Sequence, residues 1–175
     1  IHWLKEEKGL DVVTFSADLG QGEALPPTKE RALRNGAVEA YIADLKDEFV
    51  RDFIFPAVKA DAFYGDGYLL ATALGRPLIA RELVRYARET GAEFISHGCT
   101  GKGNDQVRIE TTVAALAPDI KIIAPLREWS MGSRQEEIEY ARKSGLDIGD
   151  VSEEKPYSYD RNLWALSDNW DIDLI

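Results

Sequence analysis

The chain has 175 residues, of which 45% are hydrophobic, and its 21 basic and 31 acidic side chains give a formal net charge of −10 at pH 7. This length and composition predict a globular domain with a real core, while the negative charge disfavours nucleic acid and anionic membranes as partners. A single cysteine, Cys99, excludes an internal disulfide and a cysteine-cluster metal site, and the apolar runs are too short to span a bilayer. These features favour a cytoplasmic protein that binds neither nucleic acid nor membrane.

The first 45 residues predict two helices and two strands. Residues 1–8 have the spacing of the last turns of a helix that stops at Gly9, so we expect further sequence upstream. The β-branched and aromatic residues 11–20 predict a strand that runs into a loop. A Pro-Pro pair opens a short helix within 26–37 and an Asn-Gly pair closes it, and 38–45 predict the next strand.

Residues 46–91 are predicted to be mainly helical. The apolar spacing within 46–60 predicts a helix that Pro56 bends or divides. The glycine-rich stretch 64–70 is ambiguous. Arg76 and Pro77 are expected to open a long amphipathic helix that Gly91 ends.

The second half continues the alternation of strands and helices. The predicted elements are a strand over 92–98, a loop over 99–106, a helix over 107–117, an apolar strand over 120–126 and a helix over 134–143. This alternation predicts an α/β fold with a doubly wound parallel sheet and helices on both faces.

Ligands bind such sheets at the carboxyl ends of the strands, which here selects three loops. They are 16–21, 97–106 and the loop that includes Arg127. The second has three glycines within six residues, which let the backbone approach a ligand, and it leads into a helix N-terminus that favours anions. Arg108, one turn into that helix, could clamp a carboxylate. The alternative is a polar turn with Asn and Asp caps.

The stretch SHGCTGKGNDQVRIE, residues 96–110, resembles the signature of the argininosuccinate synthases. Four further blocks resemble that family in the same order: TFSADLGQ, YLLATALGRPLIAR, IIAPLREW and KPYSYDRNLWALS. Together they cover most of the chain. Departures from the family pattern are found at Ala73, Gly75, Leu126 and Asn169.

The resemblance implies an adenine nucleotide alpha hydrolase-like domain over residues 1–150. The family's first strand and SGGLDTS phosphate loop would precede Ile1. Residues 151–175 would connect to a C-terminal synthetase and oligomerisation domain. The implied activity is that of a C–N ligase: ATP-dependent joining of citrulline and aspartate through a citrullyl-adenylate, with release of AMP and pyrophosphate. The implied cofactors are ATP and Mg²⁺ and the implied assembly is a homotetramer; the chain alone is expected to be inactive.

The resemblance also assigns site residues, without any side-chain nucleophile, catalytic residue or protein metal ligand. Ala17, His97 and Gly98 match the ATP-binding positions. The aspartate-binding positions match Thr100, Asn104 and Asp105. The citrulline-binding positions match Tyr68, Asn104, Arg108, Ser158 and Ser167.

Other interpretations of the chain stay open at this point. It could belong to another ATP pyrophosphatase that adenylates a different acceptor, or be a nucleotide-binding module without catalysis. The large apolar residues within 162–175 are expected to pack on another domain or subunit, the alternative being a tail folded back on its own domain.

Individual residues also have structural alternatives. His97 could be a buried, hydrogen-bonded histidine, and Cys99 a small space-filling residue. Asp18 could cap its own loop rather than hold a metal ion. Arg108 could pair with Glu110 or another surface acid.

Overall fold

The computed structural model describes residues 1–22, 25–65, 67–101, 103–149 and 158–169. Helices and strands alternate along the chain. They are α1 (His2–Lys8), β1 (Val13–Asp18), α2 (Pro26–Arg34), β2 (Glu39–Asp44), α3 (Lys46–Phe49), a π-helical turn (Val50–Ile54), α4 (Phe55–Lys59), α5 (Ala71–Thr90), β3 (Phe94–Ser96), α6 (Asn104–Leu116), β4 (Lys121–Ile123), α7 (Pro125–Glu128), α8 (Arg134–Lys143), β5 (Ser158–Arg161) and β6 (Leu166–Asn169).

The first four strands pair in parallel, as the alternation predicts. β1 lies beside β2 with Ala17 opposite Ala43, and β3 lies beside β4 with Ile95 opposite Ile122. In the described part of the chain these are two separate two-stranded sheets, and β5 and β6 form a third, antiparallel pair. The fold class is therefore α/β with parallel strands, although hydrogen bonds do not join the two parallel pairs into one sheet.

The long helix α5 begins earlier than predicted. Its first residue is Ala71, so Pro77 lies inside the helix instead of opening it. A proline in a helix interior costs about 3 kcal/mol, so other contacts must offset it. The Tyr68 hydroxyl accepts a hydrogen bond from the Thr72 N–H in the first turn at 3.3 Å, and Leu78 behind the proline is fully buried. Capping and core packing together hold the extra turns.

Two further boundaries differ from prediction. The segment 46–60 is divided by a π-helical turn that ends immediately before α4, whose first turn contains Pro56. Helix α6 begins at Asn104, so Asp105 stands in a helical turn, not in a loop. Arg127 likewise lies in the short helix α7.

The hydrophobic core consists of two clusters. The first packs the C-terminal half of α5 against β3 and α6, and its buried members are Ala80, Val84, Ala87, Ile95, Ile109, Val113, Ala117 and Ile120. The second packs the N-terminal half of α5 against β1, β2 and the turn after α3, and its buried members are Ala17, Leu19, Ala43, Leu45, Phe49, Ile54 and Leu78. Among the described residues, no helix has the length and apolarity needed to cross a membrane.

The hairpin of β5 and β6 docks on this domain. Asn162 Nδ2 donates to the Ala71 carbonyl at 3.0 Å, and Trp164 packs against the second cluster while its indole N–H donates to the Leu69 carbonyl. The expectation that the apolar tail packs elsewhere is thus wrong for Trp164. Residues 170–175 lie outside the described residues.

Candidate functional site

The loop between β3 and α6 has an open surface. Gly98, Thr100 and Asn104 are all exposed. A Cβ built on Gly98 or Gly101 would meet no atom within 4 Å, and neither glycine has a positive φ. Neither packing nor backbone conformation within the described chain therefore requires glycine there, and space remains for another molecule. Lys102 of this loop lies outside the described residues.

A hydrogen-bonded network lies next to this loop. Arg108 of α6 donates from one nitrogen to Asp105 Oδ1 at 2.9 Å and to Thr72 Oγ1 at 3.1 Å. The Thr72 hydroxyl lies 2.5 Å from the Tyr68 hydroxyl. On the other side, Arg76 Nε donates to Asp105 Oδ2 at 2.7 Å. Three residues that the resemblance assigns to the substrates, Tyr68, Asp105 and Arg108, are thus brought together.

Arg76 is a member of this network that the sequence analysis did not single out. Its guanidinium also donates to Asp160 Oδ1 of β5 at 2.9 Å, so it joins α5, α6 and the hairpin. Burial opposes the charge of Arg76, but its hydrogen bonds to Asp105 and Asp160 outweigh that effect, and its pKa is raised. Its acidic partners Asp105 and Asp160 are distant in sequence, so no local pattern indicated this role.

The hairpin brings the remaining predicted citrulline residues towards the network. Ser167 stands opposite Asp160, the partner of Arg76, and Ser158 stands opposite Asn169 in the same ladder. The side chains of both serines lie outside the described residues.

His97 is buried, and its side chain is 5% exposed. Its Nε2 lies 3.0 Å from Glu110 Oε1, and its Nδ1 accepts the Cys99 N–H at 3.3 Å. The structure thus favours the interpretation of His97 as a buried, hydrogen-bonded side chain. Burial raises the pKa of the Cys99 thiol, with a further contribution from the charge of Asp105, which disfavours the thiolate form.

Ala17 lies on the other strand pair. Its side chain is buried in the second cluster, and its carbonyl accepts a hydrogen bond from Gln21 Nε2 at 2.9 Å. Asp18 accepts from the Gly20 N–H at 2.8 Å and from Lys46 Nζ at 2.6 Å, so it caps its own loop. The described contacts place Ala17 with the β1 loop, apart from the Asp105 network.

Of the alternative partners predicted for Arg108, Glu110 is not observed, but Arg108 does pair with another acid, Asp105. Glu110 pairs with His97 and with Arg127, while Arg108 turns to Asp105 and Thr72. Within the ranges that the structure describes, no three His, Cys, Asp or Glu side chains are grouped so that they could hold a metal ion.

Comparison with known proteins identifies one family. The family model described as "Arginosuccinate synthase N-terminal HUP domain" matches residues 1–147. Argininosuccinate synthase from Pelotomaculum thermopropionicum is 56% identical over 167 residues, which is 95% of this chain and 41% of that protein. The enzymes named argininosuccinate synthase from Dictyoglomus thermophilum and Syntrophobacter fumaroxidans are each 55% identical over the same share of this chain, and over 42% and 41% of their own lengths. The chain therefore spans less than half the length of the relatives it matches.

Proposed function

The chain belongs to the argininosuccinate synthase family, and we propose that it forms the nucleotide-binding part of an enzyme that joins citrulline to aspartate at the expense of ATP. In the proposed first step the ureido oxygen of citrulline attacks the α-phosphorus of ATP, and pyrophosphate leaves. The aspartate amine then attacks the ureido carbon of the citrullyl-adenylate, loses a proton and expels AMP. The product is argininosuccinate, an intermediate of arginine biosynthesis.

The observation that carries this proposal is the network around Asp105. Tyr68, Asp105 and Arg108 match the family's substrate positions. Arg108 donates to Asp105 on the same helix and to Thr72, whose hydroxyl lies beside that of Tyr68 at the start of α5. Citrulline and aspartate each carry an ammonium and a carboxylate group. A site with guanidinium and carboxylate groups side by side complements both charges. The reaction needs no side-chain nucleophile, so positioning and charge stabilisation would supply the catalysis.

The proposed substrate contacts follow from this arrangement. Arg108 and Tyr68 would hold citrulline, and Ser158 and Ser167 would complete that part of the site from the hairpin. Asp105 would share its carboxylate between the two arginines and the ammonium of aspartate.

Two exposed residues would complete the aspartate site. Thr100 is exposed in the loop and Asn104 is exposed at the first position of α6, where their side chains can face a ligand. Asn104 would serve both aspartate and citrulline, because it stands between the open loop and the charged network.

The nucleotide would occupy the space beside the open loop. Gly98 leaves room for close approach of a phosphate, and the first turn of α6 provides backbone N–H groups that favour an anion. His97 would contribute through its main chain, because its ring is buried against Glu110 and Cys99. Ala17 would contact the adenosine through its backbone. Mg²⁺ would arrive with the ATP phosphates.

The larger enzyme is part of the same proposal. Residues 1–150 would form the ATP-binding domain, and 151–175 would lead towards a further synthetase and oligomerisation domain of a cytoplasmic homotetramer. Residues 151–157 lie outside the described residues. Because the relatives are more than twice as long as this chain, we expect the isolated chain to release pyrophosphate only at background rates.

A chimaera tests the proposed activity. This chain would replace the matching segment of the Pelotomaculum enzyme, and release of AMP and pyrophosphate would be measured with citrulline, aspartate or both omitted. We expect pyrophosphate release to require citrulline, and argininosuccinate to form only when aspartate is added.

The same assay separates the alternatives. Pyrophosphate release with a different acceptor in place of citrulline would indicate another ATP pyrophosphatase. ATP binding without any turnover in a correctly folded chimaera would indicate a nucleotide-binding module. Either result would overturn the proposed function.

A further inference from the structure

Side chains of α6 and α7 hold the open loop between β3 and α6 through hydrogen bonds. Gln106 Nε2 donates to the Gly101 carbonyl at 2.6 Å, and the Arg127 guanidinium donates both to the Gln106 side-chain oxygen and to Glu110. Glu110 also bonds to His97, the residue with which the loop begins. The loop is therefore held at its start and near its middle by one connected set of hydrogen bonds.

The contacts of His97 define which ring nitrogen carries the proton. The Cys99 N–H donates to Nδ1, so Nδ1 is the unprotonated nitrogen. The proton is therefore on Nε2, which donates to Glu110. Removal of the Glu110 carboxylate would allow the proton to move to Nδ1, and a protonated Nδ1 cannot accept the Cys99 N–H.

The carboxylate of Glu110 is in its charged form at neutral pH. Burial alone would raise its pKa, but the hydrogen bonds from Arg127 and His97 outweigh burial and lower it. A charged carboxylate that accepts from Nε2–H favours that tautomer of the imidazole.

We propose that Glu110 is a positioning residue: through His97 and Arg127 it sets the backbone direction of residues 98–101, and with it the fit of the loop to the nucleotide. In this proposal Glu110 acts through His97 and Arg127 and not by contacting the substrates itself. The inference rests on the proposed function, because it assumes that the loop receives ATP.

The first test concerns the tautomer and is independent of any activity. The chain has two histidines, so ¹⁵N NMR of the ring nitrogens resolves His97 once His2 is assigned with the His2→Gln variant. We expect the Nε2–H form of His97 in the unaltered chain and a mixture of tautomers in Glu110→Ala. Glu110→Gln keeps an acceptor oxygen and should restore the Nε2–H form. An unchanged tautomer in Glu110→Ala would overturn the proposal.

The second test measures kinetics in the chimaera with the Pelotomaculum enzyme. Glu110→Ala should raise the KM for ATP about tenfold, and Glu110→Gln should return it to within about threefold of the unaltered chimaera. Glu89→Ala is the matched control, because Glu89 accepts from Arg85 on the exposed side of α5 and should leave the KM unchanged. A merely structural role would lower the melting temperature and the active fraction with no change in KM, and that outcome would refute the inference.

The two proposals fail in different ways. An inactive but folded wild-type chimaera would refute the proposed function, whereas an active chimaera with an unaltered KM in Glu110→Ala would refute the inference alone. If Glu110→Ala does not fold, Arg127→Gln removes the second partner of Glu110 and leaves the carboxylate in place. A KM for ATP raised at least threefold is then expected, and an unchanged KM overturns the proposal.

Discussion

Gly20 lies against Leu163, the residue at the tip of the β5–β6 hairpin. A Cβ built on Gly20 would come within 2.6 Å of Leu163 Cγ, and the Leu163 N–H donates to the Leu19 carbonyl at 2.8 Å. The loop after β1 and the hairpin therefore meet in a contact that has no room for a methyl group. We expect Gly20→Ala to displace the hairpin and to destabilise the chain by about 1–3 kcal/mol, the usual cost of overpacking.

Gly22 provides the matched control for this prediction. Its φ of +73° resembles the +96° of Gly20, so alanine is strained at both positions, but no atom of the described residues lies within 4 Å of a Cβ at Gly22. Faster hydrogen exchange of the Leu163 amide in Gly20→Ala but not in Gly22→Ala would identify the clash as the cause. Equal effects of the two substitutions would refute it.

Asp105→Asn should impair aspartate use and reduce stability together. The substitution removes the charge that accepts from Arg76 and Arg108, and charged hydrogen bonds contribute about 1.5–3 kcal/mol each. In the chimaera we expect kcat/KM for aspartate to fall about 10- to 100-fold, with a smaller change for ATP. Asp119→Asn is the control, because Asp119 pairs with Arg88 on the exposed surface, where a pair contributes about 0–1 kcal/mol. Unchanged aspartate kinetics in Asp105→Asn would contradict the assignment.

Arg108→Lys should damage citrulline use although the charge is kept. One guanidinium nitrogen donates to Asp105 and Thr72. The remaining N–H groups of the planar guanidinium can donate to a substrate carboxylate, and a single ammonium group cannot make both sets of bonds. We expect the citrulline KM to rise about tenfold while the ATP KM changes little. Arg88→Lys, again on the exposed surface, should leave both constants unchanged. Wild-type citrulline kinetics in Arg108→Lys would leave the residue with a structural role.

Gly98→Ala should separate stability from nucleotide binding. The added methyl would meet no atom of the described chain and the backbone is not left-handed, so the free energy of unfolding should change by less than about 0.5 kcal/mol. The methyl would enter the space proposed for the nucleotide, and we expect the ATP KM of the chimaera to rise about tenfold. Gly132→Ala serves as the control. Gly132 is distant in sequence from this loop, and an added Cβ would make only an ordinary van der Waals contact with Glu136. An ATP KM that stays at the wild-type value would show that the nucleotide lies elsewhere.

The contacts of Glu82 predict that the folded chain loses stability in acid. Its side chain is 10% exposed and accepts hydrogen bonds from Arg81 and Arg85. Burial opposes its charge, but the arginines outweigh burial and lower the pKa in the folded chain. Because the folded pKa lies below the unfolded value of about 4.3, the stabilisation is complete above that pH and is lost as the pH falls through the folded pKa.

Urea unfolding at pH 7 and pH 3 measures this contribution. The unaltered chain should lose about 1–2 kcal/mol more on acidification than Glu82→Gln, which has no charge to lose at that position. Glu89→Gln, an exposed member of the same helix, should follow the unaltered chain. Parallel pH profiles for Glu82→Gln and the unaltered chain would contradict the prediction.

The elements that could be predicted from sequence are those with local signals. Gly9 ends α1 in the left-handed conformation, and α8 spans the predicted residues after its Ser133 cap. The start of α5 was wrong because the proline rule is local, while the Tyr68 cap and the burial of Leu78 are tertiary. The β5–β6 hairpin was missed because its strands are short and polar.

The parts of the candidate site that have local sequence signals could also be predicted. The open loop and the position of Arg108 near the start of α6 follow from a short stretch of sequence. Asp105 as the partner of Arg108 follows from local spacing, because it lies three residues away on the same face of α6, whereas Glu110 is only two residues away and does not face Arg108. The further bonds of this pair to Thr72 and Arg76 depend on where α5 lies. Charge pairs between distant segments leave no periodic signal in the sequence.

Helix α5 has one more consequence for the molecule. It contributes Leu78 to one core cluster and Ala80, Val84 and Ala87 to the other, while the parallel strand pairs share no ladder in the described chain. The distance between the ends of β1 and β3 therefore depends on side chains that pack along one helix, α5, which is about 30 Å long. Packed helices slide by small shear movements that a continuous row of sheet hydrogen bonds would resist. In the proposed nucleotide site, which would draw on residues of both strand pairs, the two sides would therefore be connected by side-chain packing on α5 and not by a shared strand ladder.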